Sequence, residues 1–170
     1  IIQTEKIIYL KNEEKILINY EMNATVSNKY NIKSEKVVFN RKKSEIKAEK
    51  KTIFLDDQGN KFSFGKFKYN ISNKTIKGKK IEYIDKQNDH YKFEDALVDL
   101  NSDEIIGKDI SIKFDNSKFG NEKNNPRLKG NIVYANKNET VLKKGVFTTC
   151  KKRDKCPPWL MSAEEIKHDK

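Results

Sequence analysis

Apolar and polar positions alternate along this chain in runs of about 7 to 12 residues, rich in Ile, Val, Phe and Tyr, that read as β-strands. Between them lie the segments NRKKSE, DDQGNK, NISNK, DKQND and NSDE, whose Asn, Asp, Ser, Gly and Lys content is that of turns. No helical periodicity is needed anywhere, and residues 163–166 are the single short stretch where a helical turn fits the pattern.

The alternation is itself repeated. TEKIIYLKNEEKILI from Thr4, SEKVVFNRKKSEIKA from Ser34, FGKFKYNISNKTIKG from Phe64 and FEDALVDLNSDEIIG from Phe93 can be laid under one another, with starts 30, 30 and 29 residues apart. In each, an apolar residue (Tyr9, Phe39, Tyr69, Val98) is followed seven positions later by an isoleucine (Ile16, Ile46, Ile76, Ile105). A fifth copy from Lys129 keeps the spacing with Tyr134 and Val141, after an interval lengthened by NSKFGNEKNN at 116–125, an excursion expected at one rim of the fold. Fixed-period similarity marks an array whose units rest on their neighbours. Two strands and two turns use up one period, so the pattern predicts a meander of successive antiparallel hairpins.

Side-chain parity slips in mid-strand. Phe62 and Phe64 share one face while Phe67 and Tyr69 share the other, and the same slip separates Ile76 from Ile81 and Tyr83, and Phe93 from Ala96 and Val98. A bulge or bend at each slip turns both halves of the strand inward, and Gly65, Gly78 and Gly107 lie near the slips. Stacked bent strands predict an all-β, elongated, folded and incompletely closed antiparallel sheet with an apolar slot. The residues expected to line it are Ile32, Phe39, Ile46, Phe54, Phe62, Phe64, Phe67, Tyr69, Ile76, Tyr83, Phe93, Val98, Ile112 and Tyr134. The alternative is a sandwich whose strands cross between two sheets. In either case the first strand, around 7–10 or 16–18, exposes an edge that a partner strand can join.

Composition narrows the function classes. Apolar residues make up 35% and charged residues 36% of 170 residues, so any core is narrow or drawn out. The net charge of +11 is carried almost wholly by scattered lysines, since arginine occurs only at Arg41, Arg127 and Arg153. That argues against bidentate reading of base edges or phosphates, and the aromatics are expected to turn away from the lysines, against nucleic-acid binding. Acidic residues such as Asp56, Asp57, Asp85 and Asp89 fall in turns, where they hold backbone. No phosphate loop, metal motif or Ser/His arrangement stands out, so neither enzyme nor cofactor is expected.

The remaining chemistry lies at the far end, in GVFTTCKKRDKCPPWLMSAEEIKHD from Gly145. Cys150 and Cys156 are too exposed in sequence to be core fillers and are not spaced as a redox pair. They suggest disulfide bonding in an oxidising compartment, to each other or to a segment elsewhere, with unpaired thiols as the alternative. The run Pro157, Pro158, Trp159 cannot continue a ladder and reads as a cap.

This segment resembles the end of the periplasmic N-terminal, OstA-like domain of the lipopolysaccharide-assembly outer-membrane proteins, the organic-solvent-tolerance (LptD) family. Gly145, Val146, Phe147, Thr149, Cys150, Trp159, Ala163, Ile166, His168 and Asp169 carry the match, and NNPRLKG at 124–130 and the preceding units are similar in type. The resemblance implies a β-jellyroll over 1–150 that takes lipopolysaccharide from a periplasmic LptA-like bridge protein by strand augmentation and shields its acyl chains. It implies that residues 151–170 lead toward a C-terminal outer-membrane barrel, with a plugging LptE-like lipoprotein as a further partner and the domain on the periplasmic side of the outer membrane. Cys150 then corresponds to a cysteine bridged to the barrel, while Cys156 departs from the simplest pattern and leaves open a second such bridge or a local one. The implied task is transport without catalysis, and the implied chain is an excerpt cut just after Lys170. A structural or adhesion-type β-repeat module of the cell surface is the alternative function.

Overall fold

The computed structural model describes residues 1–26, 30–57, 59–102, 104–120, 124–136, 138–151 and 159–169. The strands are β1 (Ile2–Thr4), β2 (Ile8–Leu10), β3 (Lys15–Val26), β4 (Tyr30–Asn40), β5 (Glu45–Ala48), β6 (Thr52–Asp56), β7 (Lys61–Asn70), β8 (Thr75–Ile84), β9 (His90–Asp99), β10 (Glu104–Lys113), β11 (Arg127–Ala135), β12 (Glu139–Thr148) and β13 (Met161–Asp169). All belong to one antiparallel sheet in which successive hairpins are neighbours in space, with β1 and β2 end to end along one edge, β5 and β6 end to end between β4 and β7, and β13 along the other edge. The expected meander of hairpins is what forms. Residues 163–166, the one stretch compatible with a helical turn, lie within β13 instead. That strand adds to β12, so part of the segment expected to be linker belongs to the sheet.

The seven-residue spacing has a direct structural meaning. Tyr9 faces Ile16, Phe39 faces Ile46, Tyr69 faces Ile76, Val98 faces Ile105 and Tyr134 faces Val141, each across its own hairpin. The turns between them stack. Glu14, Ser44 and Lys74, 30 residues apart, all adopt left-handed backbone, with φ of 50°, 49° and 52°. The carbonyl of each accepts a hydrogen bond from the next turn, from Arg41 N at 2.9 Å, Ile71 N at 2.8 Å and Leu100 N at 3.0 Å. Asn40 and Asn70 close their turns by accepting from Lys43 N and Asn73 N at 2.9 Å. Left-handed backbone costs a non-glycine residue roughly 1–2 kcal/mol, and the turn-to-turn bonds offset that cost.

Every second strand from β8 onward bends near its middle, as β4 does. Lys36, Lys80, Asp109 and Lys144 have φ of 53°, 49°, 51° and 50°, and the pairing ladder skips or shifts at each. Together with the break between β5 and β6 these positions form a crease, which folds the sheet along its length. The sequence pattern placed bends near Gly65, Gly78 and Gly107, yet the left-handed residues are mostly lysines. The glycines serve a different need: a Cβ on Gly78 would lie 2.6 Å from Phe64 Cδ1, one on Gly107 2.7 Å from Phe93 Cδ1, and one on Gly130 2.6 Å from Leu142 Cγ. They let a large side chain from one side of the crease rest on the backbone of the other.

Candidate functional site: a creased apolar trough

Call the side of the crease bearing the stacked turns the A wall and the other the B wall. The inner row of the A wall nearest the crease runs through Val37, Ala48, Phe67, Gly78, Ala96, Gly107, Val133 and Leu142, each facing the next across the ladder. Two residues further out runs the rim row Phe39, Ile46, Tyr69, Ile76, Val98 and Ile105. On the B wall the corresponding rim row is Ile32, Phe54, Phe62, Tyr83, Tyr91, Ile112, Leu128 and Phe147. Between it and the crease lie Thr52, Phe64, Ile81, Phe93 and Ile110.

Exposure grades from crease to rim. Apart from the half-buried Phe67, the A-wall row beside the crease is buried, and every member of its rim row is half-buried. On the B wall Phe64 and Ile81 are buried, while the rim residues Ile32, Phe54, Phe62, Tyr83, Tyr91, Leu128 and Phe147 are half-buried. Three apolar clusters run in succession along the crease and bridge both walls, one centred on Ile18 and Val37, one on Phe64 and Ile81, and one on Ile110 and Val133. Phe54 reaches Phe67 with ring centroids 5.8 Å apart, and Phe64 at 5.4 Å. The walls therefore touch at the crease, and residues of both rim rows, Ile32 with Ile46 and Phe62 with Ile76, rest half-buried against the same clusters. A polar pair on the inner face, Ser34 and Thr52, is satisfied internally, with hydroxyl oxygens 2.6 Å apart.

Thirteen of the fourteen slot positions expected from the sequence fall on this inner face: Ile32, Phe39, Ile46, Phe54, Phe62, Phe64, Phe67, Tyr69, Ile76, Tyr83, Phe93, Val98 and Ile112. Phe64 and Ile112 are buried at 7% and 6% exposure, and the other eleven are half-buried. Tyr134 does not belong with them. It lies on the outer face, 44% exposed, facing Ile106 and Val141. The reason is turn length. In the β11–β12 hairpin the inward pair is Ala135 with Thr140, five apart rather than seven, so the seven-spaced pair falls one position further from the turn and points outward.

Tyr91, Leu128 and Phe147 also line the B rim. Tyr91 carries the signal of standing two residues before Phe93, whereas Leu128 and Phe147 sit where the excursion breaks the repeat.

The B rim is edged by polar turns. Asp56 accepts from Asn60 N at 2.8 Å, and Asp85 accepts from Gln87 N and Asp89 N at 2.9 Å, so these carboxylates hold backbone as expected. The Tyr91 hydroxyl donates to Asp85 at 3.4 Å, and burial, then the Asp85 charge, pushes its phenol far above the ordinary value. The excursion begins with a short 3-10 turn, Asn116–Phe119. Lys118 Nζ ties it down to the buried carboxylate of Asp89 at 2.7 Å, and Phe119 reaches Phe147 with centroids 5.6 Å apart. This places it at the B rim.

The hairpin of β12 and β13 carries the distinctive C-terminal residues. Gly145 faces Ala163, and a Cβ on Gly145 would lie 2.4 Å from Ile166 Cδ1, so Ile166 covers that glycine. Thr148 Oγ1 donates to Trp159 O at 2.8 Å and accepts from Cys150 N at 3.1 Å. The Trp159 ring meets Phe147 edge-on at 6.2 Å, as a cap at the end of the trough. Cys150 is half-buried there, while Cys156, Pro157 and Pro158 lie outside the described residues.

The outer face is held by ion pairs, and their carboxyls titrate low. Hydrogen bonding to Lys68 lowers Glu45, to Lys92 lowers Glu82, and to Lys143 lowers Glu165; the Ser117 hydroxyl and amide lower Asp115. A carboxyl whose folded value is depressed contributes stability above its unfolded value and loses it as pH falls through the folded one. Thermal unfolding followed by circular dichroism is expected to give a constant midpoint from pH 7 to about pH 5.5, then a falling one below the ordinary glutamate value of 4.5. A midpoint that rose on acidification would contradict these assignments.

Among the described residues no group of three His, Cys, Asp or Glu side chains comes together as a metal site. No protein-family model matches the sequence, and no curated protein matches it significantly.

Proposed function

We propose that this chain carries lipopolysaccharide toward the outer membrane without catalysis, shielding the acyl chains between the A and B walls, as the resemblance to the OstA-like domains of the LptD family implies. The observation that carries this reading is the exposure gradient: an inner face that is mainly apolar, buried at the crease and, apart from Ile112, half-buried along both rims. A sheet built only to be stable gains by burying its rim residues, since each square ångström of apolar surface left in water forgoes about 25 cal/mol. Lysines on the outside suit phosphorylated sugar headgroups. The nine-residue strand β13 borders one end of the sheet, and the short β1 and β2 border the other, two edges where an LptA-like bridge protein can add a strand. In this reading Cys150 tethers the domain to its barrel, and Cys156 is either a second tether or a local partner for Cys150.

The experiment is site-specific photocrosslinking to lipopolysaccharide from Tyr69 and Phe93 on the inner face, with the outward-facing Val146 as control. Labelling from the first two alone is expected. Equal labelling from all three, or none from the trough, would overturn the assignment, and crosslinks to a protein along the outer face would favour the structural or adhesion-type module.

A further inference from the structure

We infer that the outer face of the A wall is a second, separate binding surface, which docks on the anionic headgroup layer of a lipid bilayer. The first observation is a charge arrangement that the fold does not require. Lys47 stands directly opposite Lys68, Lys68 opposite Lys77, and in the next row Lys66 opposite Lys79. Like charges facing one another across strands destabilise a sheet. Three carboxylates relieve this in part: Glu45 pairs with Lys68 and, at 3.6 Å, with Lys47; Glu49 pairs with Lys66 at 2.9 Å; Asp95 pairs with Lys79 at 3.6 Å. With Lys108, which faces Asp95 across the ladder, the patch holds six lysines against Glu45, Glu49 and Asp95, and Asp99 and Glu104 border it on the side of the turns.

The second observation is independent of charge. The row containing Lys47, Lys68 and Lys77 continues through Leu97, Ile106, Tyr134 and Val141, so it passes from cationic to apolar on one solvent-facing surface. Ile106 and Tyr134 are each 44% exposed, although alternation calls for polar residues on this face. A shallow groove of about 540 Å³ joins the two parts, bordered by Lys66, Lys77, Lys79 and Lys108 and by Leu97 and Ile106.

A bilayer surface fits both features. Lysines act as point charges drawn to an anionic layer without needing the forked geometry of a phosphate site. Exposed Ile beside Tyr suits the boundary between headgroups and hydrocarbon, where a tyrosine keeps its hydroxyl wet. A soluble polyanion would use the lysines and leave the apolar strip with no role.

Vesicle co-sedimentation of the 170-residue chain tests this, with phosphatidylcholine alone or mixed with phosphatidylglycerol, and no lipopolysaccharide present. Binding to the anionic vesicles only, weakening with salt, is expected. Lys68→Gln with Lys77→Gln should lower partitioning about 25-fold, from roughly fivefold per lysine. Ile106→Ser with Tyr134→Ser should also lower it, and Lys129→Gln, on the outer face of the B wall, should leave it unchanged. Circular dichroism checks that each variant is folded. Failure to bind anionic vesicles, equal binding to neutral ones, or equal loss with Lys129→Gln would overturn the inference. So would full competition by inorganic polyphosphate with no effect of the Ile106 and Tyr134 changes, which would mark a soluble polyanion as the ligand.

Discussion

Replacing Phe64 by alanine is expected to lower the free energy of unfolding by about 3–5 kcal/mol, the range for emptying a buried phenylalanine site. Phe64 is 7% exposed and lies at the centre of the middle cluster, against Ile81 and Ala96 and edge-on to Phe54. Its ring also occupies the space above Gly78 on the opposite wall, where an added Cβ would meet Phe64 Cδ1 at 2.6 Å and Ile81 Cδ1 at 2.9 Å. Gly78→Ala alone should therefore cost about 1–3 kcal/mol through overpacking. Combined with Phe64→Ala, the new methyl enters the vacated space, and the two changes should cost less together than the sum of their separate effects. Denaturant titration of the four proteins of this cycle measures the coupling, expected at about 0.5–3 kcal/mol. Additive effects would mean that the walls do not meet across the crease, and the trough would lose its floor.

Val98→Asp is expected to weaken lipopolysaccharide capture by at least roughly tenfold, or 1.4 kcal/mol of binding free energy. Val98 stands in the middle of the A rim, between Ile76 and Ile105, half-buried and facing the trough. A carboxylate there would project among apolar partners and bring water to the surface meant for acyl chains, with a stability cost of about 1–3 kcal/mol for the poorly solvated group. Val146→Asp, at an exposed position on the outer face of the B wall, should leave stability within about 0.5 kcal/mol and capture unchanged. Displacement of a fluorescent lipopolysaccharide from the folded variants reads the difference. If the Val98 variant captured the lipid as well as the parent chain, the trough would not be the site.

Local pattern carried most of the architecture. The seven-residue spacing of Phe39 with Ile46, Tyr69 with Ile76 and Val98 with Ile105 is legible because residues that face each other across a hairpin are separated by a number the turn alone sets. Tyr134 and Val141 keep the number and still turn outward, because their turn is shorter by two residues and side-chain direction has a period of two. The glycines were visible but their work was not. Gly78 and Gly107 stand near the bends, yet only packing shows that Phe64 and Phe93 require their missing side chains, while Lys80 and Asp109 take the left-handed backbone.

The sequence by itself determined the strands, their order, the stacking period and the inward direction of thirteen of the fourteen expected slot residues, since each follows from alternation and turn chemistry within a few neighbouring positions. The crease, the gradient of exposure from floor to rim, and the joining of Lys47, Lys68 and Lys77 to Leu97, Ile106 and Tyr134 in one row were decided only in three dimensions. They depend on which residues of distant strands come into register, and register is the summed result of every turn and bend between them.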